Sequence, residues 1–216
     1  MVQSIENMLI SLPAIIIALT FHEYAHGLVA TWLGDSTPRR EGRLTINPLP
    51  HIDWVGFISL MIFRFGWAKP VMVNPLEFKK AGFKKGMMLV SLAGPAMNLL
   101  LAFIGVLILN LIGFNPIQGT YHGSMAVSTA VIVIKLIFPL IQLNLILAAF
   151  NLIPVPPLDG SKILAGLLPD SGTAFVYSLE QYGPLILLLL IVTGMAGKIF
   201  LPLANILGGL LYAIVF

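Results

Sequence analysis

The sequence predicts an all-α membrane protein: a polytopic bundle of five or six transmembrane helices, with a partly inserted non-helical or β-hairpin segment between the first and second long helices. Three observations lead there. Of 216 residues, 58% are hydrophobic and 10% charged, against about 25% charged in ordinary soluble domains, and the mean hydropathy is +0.96. Five apolar runs are long enough, or nearly so, to cross about 30 Å of hydrocarbon at a helical rise of about 1.5 Å per residue. The stretch between the first two runs is punctuated by Pro, Gly and Asn, which break helices and favour turns.

The runs, in order, are 8–33, 87–112, 124–152, 176–195 and 199–216. Residues 1–6 lack the basic start of a secretory signal and no small-residue cleavage site follows, so the first run is expected to be a retained span. A sixth run, 54–65, is short; Arg64 and the breaks at Gly56 and Gly66 mark it as re-entrant or interfacial, with a tilted full span as the alternative. No polar linker or repeat divides the chain, which predicts one integral-membrane domain over 1–216. Nine of the twelve Lys and Arg lie between Arg39 and Lys85, which the positive-inside rule assigns to the cytoplasm. The expected location is the cell membrane.

Composition also excludes functions. There is no Cys, which removes disulfide scaffolds, thiolate metal sites and cysteine nucleophiles. The net charge of +3 is not arranged with aromatics as a nucleic-acid groove requires, so no nucleic-acid partner is expected.

Within the first run stands His22-Glu23-Tyr24-Ala25-His26. Helical residues i and i+4 share a face, so both imidazoles can grip one Zn²⁺ with Glu23 beside them as a general base. Ionisable groups cost several kcal/mol at bilayer depth, and a divalent cation offsets that cost. A catalytic zinc takes a third protein ligand. The metzincin continuation fails, because Val29 and Trp32 stand where its Gly and third His would be. The remaining candidates are Asp159, His51, Asp53, Asp35, His122 and Glu180. Asp159 follows Pro154, Pro156 and Pro157 at the end of the third run, on the same side and at similar depth as the histidines, and Gly160 permits a sharp turn there. Asn151, just upstream, can cap the end of the third run beside Pro154. Asn98, Asn110, Gln142 and Asn144 read as interhelical hydrogen-bonding residues, with a water path as the alternative.

Phe21-His22-Glu23-Tyr24-Ala25-His26-Gly27 and Pro157-Leu158-Asp159-Gly160 resemble the two zinc motifs of the site-2 intramembrane metalloprotease family. The Asn-Pro-Leu-Pro-His-Ile-Asp stretch at 47–53 and Trp-Ala-Lys-Pro-Val at 67–71 are similar to a compact bacterial-type subgroup without PDZ or CBS domains. The resemblance implies that His22, His26 and Asp159 bind one zinc, that Glu23 is the general base, and that Asn151 supports the substrate or the oxyanion. It implies an intramembrane endopeptidase working near the cytoplasmic side. Its substrates would be transmembrane proteins or signal-peptide remnants within the lipid bilayer, unwound so that zinc can reach a carbonyl. An extended edge in 66–75 is expected to receive the unwound strand by β-addition. From the residues alone, a cation transporter or channel using the His/Glu cluster as an ion pathway is the alternative.

Overall fold

The computed structural model describes residues 2–63 and 66–216. In chain order the helices are α1 (Val2–Leu33), α2 (Thr37–Arg40), α3 (Trp54–Phe63), α4 (Phe83–Leu111), α5 (Val127–Asn151), α6 (Asp159–Leu167), α7 (Asp170–Ser178), α8 (Gly183–Val192) and α9 (Met195–Val215). The antiparallel two-residue strands β1 (Phe114–Asn115) and β2 (Thr120–Tyr121) close the turn between α4 and α5. Five segments are long and apolar enough to cross a membrane, as expected of a polytopic helical membrane protein. One of them is not a single helix. The fourth run divides into α7, a 3-10 turn at Glu180–Tyr182 and α8. Pro184 lacks the N–H that would continue a helix through this point. An added Cβ on Gly183 would meet the Pro156 carbonyl carbon at 2.9 Å, so the break lets α8 start against the prolines that follow α5.

Small residues bring the long helices together. Ala102, Val106 and Leu109 of α4 pack with Ile141, Leu145 and Ala149 of α5 and Ala204 of α9. A Cβ on Gly105 would come within 2.6 Å of Ile141, the close approach expected where lipid supplies no hydrophobic drive between helices. Leu100, Val131, Leu188 and Ile206 face outward and exposed.

The segment between α1 and α4 narrows two open readings. Its α3 has ten residues, about 15 Å of helix and half the hydrocarbon thickness, so it adds no sixth span; Arg64 lies outside the described residues. The β-hairpin narrows to one antiparallel bridge, Ile52 with Ala68, where the Lys69 N–H donates to the His51 carbonyl at 2.9 Å. After that bridge, residues 69–74 form an extended strap following α1 toward its C-terminus. Val73 packs on the cluster of Ala30, Leu33 and Val90, and the Asn74 N–H donates to Asp35 Oδ2 at 2.7 Å. Arg43, buried, donates through its guanidinium to the Lys69 carbonyl. Beyond the strap, Glu77 accepts from Arg40 at 2.7 Å and from the Ser36 hydroxyl at 2.7 Å, tying the chain to α2.

Candidate metal centre

His22 and His26 stand one turn apart on α1, and α6 begins with Asp159. The Nε2 atoms of the two rings are 3.1 Å apart, and each lies 3.3 Å from Asp159 Oδ2. Zinc bonds of about 2.0–2.2 Å in a tetrahedron space neighbouring ligand atoms about 3.3–3.6 Å apart. The three atoms thus sit close to the edge lengths of a tetrahedral site, the two nitrogens slightly inside them.

The far sides of the rings fix which atoms carry hydrogen. His26 Nδ1 is 2.7 Å from the Val90 carbonyl, which only accepts, so Nδ1–H donates. His22 Nδ1 is 2.6 Å from Asn98 Oδ1. The Asn98 amide is oriented by its other end, whose Nδ2 donates to Asn144 Oδ1 at 2.7 Å and to the Ala18 carbonyl at 3.2 Å; His22 Nδ1–H therefore donates as well. In the neutral rings both Nε2 atoms present lone pairs to each other and to a carboxylate oxygen. Asp159 Oδ2 is buried and has no hydrogen-bond partner among the described residues. Three converging acceptors repel unless a cation lies between them, and two imidazoles with a carboxylate are a zinc-type donor set. The residues present therefore fit the metal that the motifs imply.

Local sequence explains how Asp159 arrives. The prolines after α5 end that helix, and the chain turns back so tightly that a Cβ on Gly160 would lie 2.4 Å from the Ile153 carbonyl oxygen and 2.5 Å from that of Leu152. At the start of α6 the carboxylate also faces the favourable end of the helix dipole. On the opposite wall, α4 approaches through Gly94, where a Cβ would lie 2.5 Å from both His22 Cε1 and His26 Nε2. On the same stretch of α4, one turn before Gly94, the Val90 carbonyl reaches His26.

Glu23, Asn151, Lys162 and strap residues Pro70–Val73 line the same cavity as the three ligand candidates. Glu23 Oε2 accepts the Val71 N–H at 2.9 Å. That amide is thus committed to Glu23 and is not free to pair with another strand. Asn151 Nδ2 donates to the Leu147 carbonyl at 3.0 Å, a bond within its own helix, while the residue still faces the cavity.

The family model for peptidase family M50 matches residues 10–192. The chain belongs to peptidase family M50. It is therefore a metalloprotease, as the resemblance of its motifs implied. Relatives of this M50 chain that carry the name "Putative zinc metalloprotease" include YwhC of Bacillus subtilis strain 168, 40% identical over 88% of this chain and 84% of its own. MJ0611 of Methanocaldococcus jannaschii is 32% identical, over 74% and 72%. Rip2 of Mycolicibacterium smegmatis is 27% identical, over 87% and 68%. No solved structure gives a significant match.

In this M50 peptidase the other third-ligand candidates go elsewhere. Asp35 spends its oxygens on the N–H groups of Thr37 and Asn74. Asp53 caps α3 through Val55 and Gly56, and the Gly56 N–H, ahead of its other partners, holds the carboxyl below the usual range. His51 bonds to the Thr45 carbonyl. His122 follows β2, and Glu180 lies in the turn before α8. Sequence reasoning missed Asn98 and Gly94 as parts of the site, and Lys162 as a wall of its cavity. For Lys162 a signal existed, since it stands three residues after Asp159 and hence on the same face of α6. Asn98 was legible as an interhelical hydrogen-bonding residue and Gly94 as a small residue for close helix packing, but their partners were not, because the contacts that matter join α4 to α1.

Proposed function

We propose that this chain is a zinc-dependent intramembrane endopeptidase that hydrolyses a peptide bond in or near the transmembrane segment of membrane proteins or signal-peptide remnants. The observation that carries the reading is the convergence of three acceptor atoms, His22 Nε2, His26 Nε2 and Asp159 Oδ2, at zinc-ligand spacing. The helix lengths and the basic 39–85 segment support a site in the cell membrane, nearer the cytoplasmic face.

Zinc, held by His22, His26 and Asp159, supplies Lewis acidity that polarises the scissile carbonyl and makes water a better nucleophile near neutral pH. Glu23 takes the proton from the attacking water and hands it to the leaving amine as the C–N bond breaks. The Val71 N–H holds Oε2 of Glu23 and so fixes the base's orientation without neutralising it. Asn151, with one amide hydrogen on Leu147, keeps a second for the oxyanion that develops as water adds, a donor worth about 3 kcal/mol in comparable sites. Burial of the ligands among α1, α4 and α6 keeps bulk water from competing for them. A helical substrate hides its carbonyls in i to i−4 bonds and has to unwind before one reaches this centre.

The test is metal analysis of detergent-purified protein together with cleavage of a single-pass substrate, in wild type and Glu23→Gln. The reading expects one zinc per chain in both proteins and cleavage in wild type alone, reduced by about 10²–10⁴-fold or more in the variant. Ion flux through proteoliposomes without proteolysis would favour a cation pathway instead.

A further inference from the structure

An apolar chamber of about 180 Å³ lies beside the metal centre but shares no wall residue with the site cavity. Its lining residues come from some of the same elements as the site cavity, one step earlier along each. On α1 it is lined by Leu19 and Thr20, one turn before His22 and Glu23. On α5 it is lined by Leu143 and Leu147, whereas Asn151 faces the site. Beside the strap it is lined by Ala68, three residues before the Val71 that holds Glu23. Three independent elements thus give the same offset, about 5–10 Å at helical and extended rises, which is two to three residues of an unwound substrate.

One residue of the chamber's lining carries a buried, unsatisfied polar atom. His51 is 2% exposed and lines it. Its Nε2 lies 2.8 Å from the Thr45 carbonyl, so that nitrogen carries the hydrogen, and Nδ1 is left as a buried lone pair with no partner among the described residues. A buried acceptor of this kind is costly until a donor reaches it. A substrate helix that has unwound at the centre has freed just such donors, its peptide N–H groups.

We propose that this chamber is a substrate subsite. It takes an apolar side chain of Leu or Phe size, two or three residues from the scissile bond on the side that continues deeper into the membrane, while His51 Nδ1 receives a hydrogen bond from the unwound substrate backbone. The volume suits the occupant, because an apolar cavity of about 150 Å³ accommodates benzene. The inference rests on the proteolytic reading above and adds the residue class that the centre selects.

The experiment uses the full-length zinc-loaded protein in proteoliposomes, with a single-pass substrate whose cut is mapped by mass spectrometry. Each of five positions on either side of the cut is changed to Leu, Phe, Ala and Asp. One position, two or three residues away on the membrane-inner side, should prefer Leu or Phe over Ala by tenfold or more in kcat/KM, mainly through KM, with Asp poorer still. Leu143→Trp, which fills the chamber, should invert that preference at that position and no other. His51→Asn keeps an acceptor where Nδ1 stood, whereas His51→Gln keeps the donor toward Thr45 and loses the acceptor. Asn should therefore stay within about threefold of wild type while Gln raises KM about tenfold. The opposite order would reduce His51 to a tether for Thr45 and overturn its assignment. Should both His51 variants misfold, the wild-type position scan decides alone. A flat profile sinks the subsite and leaves the protease reading intact, whereas no cleavage of any substrate sinks the reading beneath it.

Discussion

Gly94→Ala puts a methyl group where the two imidazoles meet α4. The added carbon would lie 2.5 Å from His22 Cε1 and from His26 Nε2, whereas unstrained carbon contacts begin at about 3.5 Å. Both rings have to retreat by about 1 Å, and neither is free to do so, because Asn98 and the Val90 carbonyl hold their far sides. Zinc bonds tolerate about 0.2 Å, so a 1 Å displacement removes a ligand. A misplacement of that size costs about 10²-fold in rate even where binding survives. The fold itself should not suffer, since Ala is favoured over Gly within a helix by about 1 kcal/mol. Metal content per chain, cleavage of a single-pass substrate and thermal melting with chelator present separate these effects. The expected result is metal well below stoichiometric, cleavage down by 10²-fold or more, and chelated melting no lower than wild type. Gly209→Ala, which meets nothing within 4 Å, serves as the control. Stoichiometric zinc and cleavage within threefold of wild type in Gly94→Ala would refute the claim that this contact sets the ligand geometry.

Asn98→Ala strips His22 of its orienting acceptor and leaves Asn144 Oδ1 without its donor; metal affinity should fall about 10–100-fold, and stability by about 1–3 kcal/mol, read by competition with a zinc indicator and by denaturant melts. Gly160→Ala collides with the Leu152 and Ile153 carbonyls, which cannot rotate away as a side chain can, so α6 shifts and carries Asp159 off the rings; metal affinity should drop tenfold or more while the helix content seen by circular dichroism is unchanged. Glu77 is pulled down to about 2, chiefly by Arg40 and then by the Ser36 N–H and hydroxyl. Because this value lies below the ordinary 4.5, the tether between strap and α2 is complete above about pH 4.5 and is lost as pH falls through about 2. The Ser36 amide resonance should report that loss, and Glu77→Gln should abolish the step.

Periodic and local features were legible without the fold. Apolar runs placed the long helices, and i to i+4 spacing paired His22 with His26. The prolines and Gly160 marked where the chain turns back, which made Asp159 the favoured third ligand among six candidates. The division of the fourth run was harder to see. Residues 176–195 read as one apolar stretch, and it was the packing of Gly183 on Pro156 that gave the break a use. The choice between hairpin and plain non-helical segment stayed open for a related reason. Pro and Gly announce non-helical backbone, but whether two such segments pair depends on what lies between them, and here α3 leaves room for a single bridge.

Sequence alone determined that this chain has apolar runs long enough to span lipid and that two histidines share one helical face with a glutamate beside them, because each of those follows from residue type and short-range spacing. Only tertiary structure decided which carboxylate converges with the two rings, and which asparagine of several bonds to His22 across 76 residues of chain. It also decided that one strap amide is spent on Glu23 and that Gly94 has to be bare. Such contacts depend on how helices pack against one another, and helical periodicity constrains each helix's buried face without specifying its partner.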